Sequence, residues 1–144
     1  MLFKNLALYR LTEPLTQSPE TLSAALDAGS FRPCGGLEPF SYGFEPPLGR
    51  LGQDLVHVAN GRVMMCARRE ERLLPPAVVR EVLENRIAEI ESNEFRTVHR
   101  KERQRLRDDI TFELMPRAFT KSVRTFGYLC NEDGWLVVDA ATPQ

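Results

Sequence analysis

Leu55-Val56-His57-Val58-Ala59-Asn60-Gly61-Arg62-Val63-Met64-Met65-Cys66-Ala67, followed by Leu74-Pro75-Pro76, is the stretch that decides the fold class. Two apolar, β-branched runs flank Asn60-Gly61. A two-residue hairpin turn needs positive φ at both central residues, and Asn-Gly meets that need at least cost. The reading is therefore a β-hairpin. Past Pro76 the apolar period changes from two to about 3.6. Val78, Val79, Val82, Leu83, Ile87 and Ile90 then share one helix face, with Arg80, Glu81, Glu84 and Glu89 turned away. A second helical stretch carries Val98, Leu106, Ile110 and Leu114 and stops at Met115-Pro116. Glu91-Ser92-Asn93-Glu94 reads as the turn between them. Residues 76–115 thus form an antiparallel helical hairpin whose narrow stripes predict that it protrudes and that its helices mostly bury each other.

Outward from this centre the chain is mostly strand. Leu2 to Leu11 reads as a strand that ends at Thr12-Glu13-Pro14. A helix of about three turns follows, with Ser18 as N-cap, Pro19 at its first position, Gly29 at its C-terminal cap and Leu22, Ala25 and Leu26 as its stripe. Ser30 to Gly52 is rich in Gly and Pro and reads as a long loop pinned by Phe31, Phe40, Tyr42 and Phe44. A last hairpin pairs Ser122–Cys130 with Trp135–Ala140 around Asn131-Glu132-Asp133-Gly134, whose final Gly suits a bulged turn. The expected class is α+β: an antiparallel sheet with a short packed helix and a protruding antiparallel helical hairpin. Residues 1–75 and 116–144 make the sheet domain, and 76–115 are inserted into it.

Composition sets limits on function. The chain has 144 residues, of which 42% are apolar, the size and make-up of one globular domain. No apolar run approaches the roughly 18 residues of a membrane span, and the N-terminus lacks a basic region followed by a long apolar stretch. With 19 basic and 20 acidic residues the net charge is −1. A chain-wide positive field is absent, and nucleic-acid binding would rest on local patches. Cys34, Cys66 and Cys130 include no CxxC pair, which argues against zinc and, without a signal peptide, for reduced thiols in a cytoplasmic protein. Cys66 and Cys130 lie in strand-like runs and are expected in the core.

No phosphate loop, dinucleotide fingerprint, HExxH or GxSxG is present. His57 falls in a strand and His99 among helical charges, and neither has a catalytic setting. Neither a cofactor nor a metal is expected. Asp108, Asp109 and Glu113 could bring carboxylates to one helix face, as a metal-dependent nuclease would require, although acids among arginines on an exposed helix are usually ion-paired surface. Basic residues are more informative. Arg96, Arg100, Lys101, Arg103, Arg105 and Arg107 place six positive charges in twelve residues. They spread around a helix, where Glu89, Glu91 and Glu94 can neutralise part of them across the hairpin, each pair contributing about 0–1 kcal/mol. Arg117, Lys121 and Arg124 form a second run, and Arg62, Arg68, Arg69 and Arg72 a third. Phe119 leaves a helix through Pro116. By its position alone it tucks under the hairpin or anchors a partner.

Seven fragments in register carry a resemblance. They are Phe3-Lys4-Asn5-Leu6 with Tyr9-Arg10-Leu11, Phe31-Arg32-Pro33-Cys34-Gly35, Pro46-Pro47-Leu48-Gly49, His57-Val58-Ala59-Asn60-Gly61, Cys66-Ala67-Arg68-Arg69-Glu70-Glu71, Leu114-Met115-Pro116-Arg117-Ala118-Phe119 and Val137-Val138-Asp139. From Met1 to Ala140 the chain resembles the N-terminal half of the bacterial recombination-associated RdgC family. The resemblance implies a cytoplasmic, nucleoid-associated protein binding double-stranded DNA with little sequence preference. The family has also been labelled an exonuclease, but this sequence offers no motif for that label and no catalysis is expected. It implies a ring-shaped homodimer that encircles DNA through a basic hole and restrains the RecA recombinase. It places Arg117 and Phe119 at a dimer contact, which turns Phe119 toward a partner. Arg62, Arg68, Arg69, Arg117, Lys121 and Arg124 are the candidate DNA contacts. Family members run to about twice this length, so ring closure by this chain lacks the family's second half. The alternatives are a metal-dependent exonuclease using Asp108, Asp109 and Glu113, and a protein-interaction module without nucleic acid.

Overall fold

A computed structural model describes residues 3–141. Leu2, the first residue of the expected N-terminal strand, lies outside them, as do residues 142–144. The fold is α+β. Six strands form one sheet: β1 (Ala7–Arg10), β2 (Phe40–Glu45), β3 (Val56–Ala59), β4 (Arg62–Leu73), β5 (Phe119–Cys130) and β6 (Trp135–Val138). Their order is β1-β6-β5-β4-β2, with β3 also paired to β4. The helices are α1 (Pro19–Asp27), α2 (Pro76–Glu94) and α3 (Arg100–Leu114). The chain divides into two units, one of residues 1–32, 41–69 and 122–144, the other of residues 33–40 and 70–121.

In the first unit the local signals act as read. Asn60 and Gly61 take φ of 51° and 74°, so β3 turns straight back into β4, with Ala59 opposite Arg62 and Val56 opposite Met65. Gly134 takes φ of 69°, and β5 and β6 pair from Cys130 opposite Trp135 to Gly127 opposite Val138. β1 closes the edge, Ala7 opposite Val138. The sequence before β1 is tied down by Asp139, whose Oδ1 accepts from the backbone N–H groups of Lys4 and Asn5 at 3.0 Å each. Ser18 caps α1, its Oγ accepting from Thr21 N at 3.2 Å. Leu55, Val56, Cys66, Ala67, Leu129, Cys130 and Val137 are buried here.

Three expectations about this unit are corrected. The N-terminal strand, expected from Leu2 to Leu11, covers only Ala7–Arg10 among the described residues. The long loop contains strand β2, with Phe40, Tyr42 and Phe44 on one side by strand alternation. Gly43, which reads as a loop residue, is there because a Cβ would stand 2.5 Å from Phe31 Cα and 2.8 Å from Gly29 O. A glycine inside a strand here marks close approach of another backbone. Gly29 does not end α1 as a left-handed cap. The cap is Ala28 in the right-handed region, and the Gly29 carbonyl accepts from Phe44 N at 2.8 Å.

In the second unit α2 and α3 bury one stripe against the other. Val79, Leu83, Ile87 and Ile110 form the core, with Leu74, Val82, Val98, Leu106 and Leu114 packed around it. The expected turn at residues 91–94 is corrected: α2 runs to Glu94, and Phe95 ends it in the left-handed region at φ 50°. Residues 95–99 then connect to α3, and Val98 belongs to this connection. Glu91, expected to pair with a cation, accepts from Val98 N at 2.9 Å instead.

Candidate nucleic-acid interface

Four of the six candidate DNA contacts lie in the first unit, and the strand period separates them. Arg62 and Arg68 share one face of β4, and Arg69 lies on the other. Arg68 is held on three sides. Its Nε and Nη2 donate to Ser122 Oγ at 3.1 and 3.0 Å, and its Nη1 donates to Glu45 Oε2 at 3.3 Å. The guanidinium also stands 4.2 Å from the Phe31 ring centroid, a cation–π distance. Arg124 Nε donates to the other oxygen of the Glu45 carboxylate. One half-buried glutamate therefore restrains and partly neutralises two of the candidates. Arg62 lies over the Tyr128 ring at 5.8 Å, and Arg69 is exposed.

Arg117 and Lys121 lie in the second unit, and both are exposed. Phe119 is 85% exposed, so it is not packed beneath the hairpin. It borders an apolar surface made by Leu73, Pro75, Val78 and Leu114. The short 3-10 turn Met115–Arg117, closed by Ala118 N donating to Met115 O at 3.2 Å, delivers it to the start of β5.

The basic cluster of residues 96–107, most of it on α3, divides by partner. Arg96 forms a fork on Glu102, with both nitrogen–oxygen distances 2.7 Å, and also bonds Glu94. The hydrogen bonds from Arg96 hold the Glu102 carboxyl below its usual pKa, and those from Glu102 and then Glu94 raise that of Arg96. Arg103 bonds Glu84, and Arg86 bonds Glu113. Arg100, Lys101, Arg105 and Arg107 are exposed, and no carboxylate is within ion-pair distance of them among the described residues. These four are the candidate phosphate contacts that the sequence reading did not single out. The charge run was visible, but the choice between free and paired depended on which acids α2 brings across.

The three acids of the nuclease alternative have other partners or none in common. Asp108 Oδ1 accepts from Gln104 Nε2 at 2.9 Å, and Glu113 accepts from Arg86 at 3.4 Å. Among the described residues no three His, Cys, Asp or Glu side chains are grouped to hold a metal ion. Cys66 and Cys130 are buried as expected, and Cys34 is half-buried with its Sγ donating to Glu70 O at 3.3 Å. No helix among the described residues is long and apolar enough to cross a membrane.

Comparison with known proteins adds the family. The family model described as "Putative exonuclease, RdgC" matches residues 1–144. The chain is 49% identical over 142 residues to the recombination-associated protein RdgC of Halorhodospira halophila, covering 99% of this chain and 47% of that protein. The protein of the same name from Pseudomonas fluorescens is 41% identical over 146 residues, covering 100% and 47%. That from Aeromonas hydrophila is 39% identical over 142 residues, covering 99% and 47%. The chain thus spans about half the length of the curated relatives it matches.

Proposed function

The chain belongs to the RdgC family, and on that premise we propose that it binds duplex DNA without sequence preference and modulates homologous recombination as part of a homodimer. The observation that carries this reading is the match of the whole chain to relatives named for recombination. The exposed cations Arg69, Arg117 and Lys121, with Arg100, Lys101, Arg105 and Arg107 of α3, support it. They offer phosphate contacts, and phosphate contacts position a protein without reporting sequence. Restraint of RecA follows from occupying the DNA it needs. Phe119 and Arg117 are the proposed dimer contact, supported by an aromatic ring exposed beside apolar neighbours. Residues 1–75 and 116–144 are proposed as the sheet domain and 76–115 as its inserted tip. Encirclement of DNA would also require the half that the relatives possess beyond this match. A nucleoid-associated, cytoplasmic location belongs to the same proposal.

The test is binding to a labelled short duplex across a salt series, with the oligomeric state followed in parallel. The expected result is equal affinity for unrelated sequences and a steep fall with salt, the log–log slope being about −0.9 per phosphate contacted. Affinity that does not change with salt, or no binding at low salt by either this chain or a full-length relative, would leave the interaction-module reading in its place. The family description favours one second reading, an exonuclease. Magnesium-dependent loss of labelled ends that Asp108→Ala abolishes would establish it over the first.

A further inference from the structure

We infer that Arg72 is a positioning residue for the Arg117–Phe119 surface, clamping the segment that carries both side chains onto the Cys34–Gly35 turn. The inference rests on the reading of Phe119 as a partner contact. The partners of the Arg72 guanidinium are four main-chain carbonyls. Its Nη1 donates to Pro116 O at 3.4 Å and Ala118 O at 3.2 Å. Its Nε and Nη2 donate to Gly35 O at 3.3 and 3.0 Å, and Nη2 also reaches Cys34 O at 3.5 Å.

One side of the clamp is an anchor. Cys34 N donates to Glu70 Oε1 at 3.0 Å, Gly35 N to Glu38 Oε2 at 2.8 Å, and Arg72's own N–H to Pro39 O at 2.8 Å. The other side is a short turn whose Pro116 has no N–H to contribute. The Pro116 carbonyl belongs to the peptide plane entering Arg117, and the Ala118 carbonyl to the plane entering Phe119. Holding both fixes the backbone from which the two side chains project. Phe119, 85% exposed, has little packing to hold it otherwise. Only arginine supplies a planar fork of five donors able to span two segments; lysine offers one compact ammonium. A surface ordered beforehand loses less freedom when its partner arrives.

The test compares the full chain with Arg72→Lys, which keeps both the charge and a tryptic site. Brief trypsin treatment, with fragment ends identified by mass, gives the rate of cleavage at Arg117–Ala118 relative to Arg103–Gln104 within α3. A released clamp raises that ratio by about tenfold or more at an unchanged melting temperature, because only the local segment opens. Global loss of structure lowers the melting temperature and exposes both bonds alike, driving the ratio toward one; that outcome overturns the inference, as does an unchanged ratio in a folded variant. Sedimentation equilibrium then tests the contact itself. Phe119→Ala is expected to weaken self-association by about tenfold or more. Arg72→Lys is expected to weaken it by less, and to add nothing in the Phe119→Ala background. Additive losses overturn the claim that Arg72 acts through Phe119. Self-association that is absent, or indifferent to Phe119→Ala, overturns the contact reading and with it the partner role of the clamp, while the cleavage ratio still decides whether the clamp exists.

Discussion

Cys66 is 1% exposed on β4, and its surroundings determine its chemistry. Burial pushes its thiol up to about 11; the Glu45 carboxylate adds to the rise and the Arg124 guanidinium opposes it. Two pKa units leave about a hundredfold fewer thiolates near pH 8 than an ordinary thiol would have. Iodoacetamide at that pH should therefore modify half-buried Cys34 first and reach Cys66 only after denaturant is added, which peptide mapping will show. The raised value also carries a sign for stability. The folded state keeps the proton that the unfolded state releases, so the contribution is complete below about pH 9 and is lost as pH rises toward about 11. Urea midpoints should fall across that interval in the wild-type chain and fall less steeply in Cys66→Ala. An identical slope in both would locate the alkaline loss elsewhere.

At the scale of elements, the helical hairpin stands on few side chains. Leu83 and Ile110 are 0% exposed, one on each helix. Leu83→Ala and Ile110→Ala should each cost about 2–5 kcal/mol. The pair shares one core, so the double substitution should cost measurably less than the sum, as seen in denaturant melts of all four chains. Additivity would mean that the two helices do not pack through these residues. This stripe was legible in the sequence because Val79, Leu83 and Ile87 repeat with the period of a helix. The helix end was not, because the chain stops α2 at Phe95 in a left-handed conformation without the glycine that usually signals it. β2 was hidden for the opposite reason. Its Gly43 reads as loop, while its purpose is to admit the Phe31 backbone, a long-range fact that no local pattern reports. The Asn60-Gly61 and Gly134 turns were legible because their signal is local and conformational.

For the whole molecule, a net charge of −1 means that attraction to DNA depends on how the cations are distributed and what each is paired with. The sequence located the arginines but not their partners. Residue spacing could place Arg68 and Arg124 among the candidates, yet only the folded chain shows both converging on Glu45. That convergence gives a test of whether these two residues face phosphate. Glu45→Gln keeps the size of the side chain and removes its charge, leaving Arg68 bonded to Ser122 and stacked on Phe31. If Arg68 and Arg124 lie along the DNA path, more of their positive charge then acts on phosphate, and affinity for an arbitrary duplex at low salt rises. The slope of log K against log salt then steepens by about 0.9 for each further phosphate neutralised, so by at most about 2. If the DNA path runs elsewhere, affinity changes only through the single unit of net charge, with the slope unaltered. Fluorescence anisotropy over a salt series separates the two outcomes, and Arg68→Ala and Arg124→Ala in the Glu45→Gln background assign any increase. A steeper slope that falls by about 0.9 on removing one arginine would place that residue on phosphate. A slope unchanged throughout would leave the exposed cations Arg69, Arg117 and Lys121 and those of α3 to carry the binding.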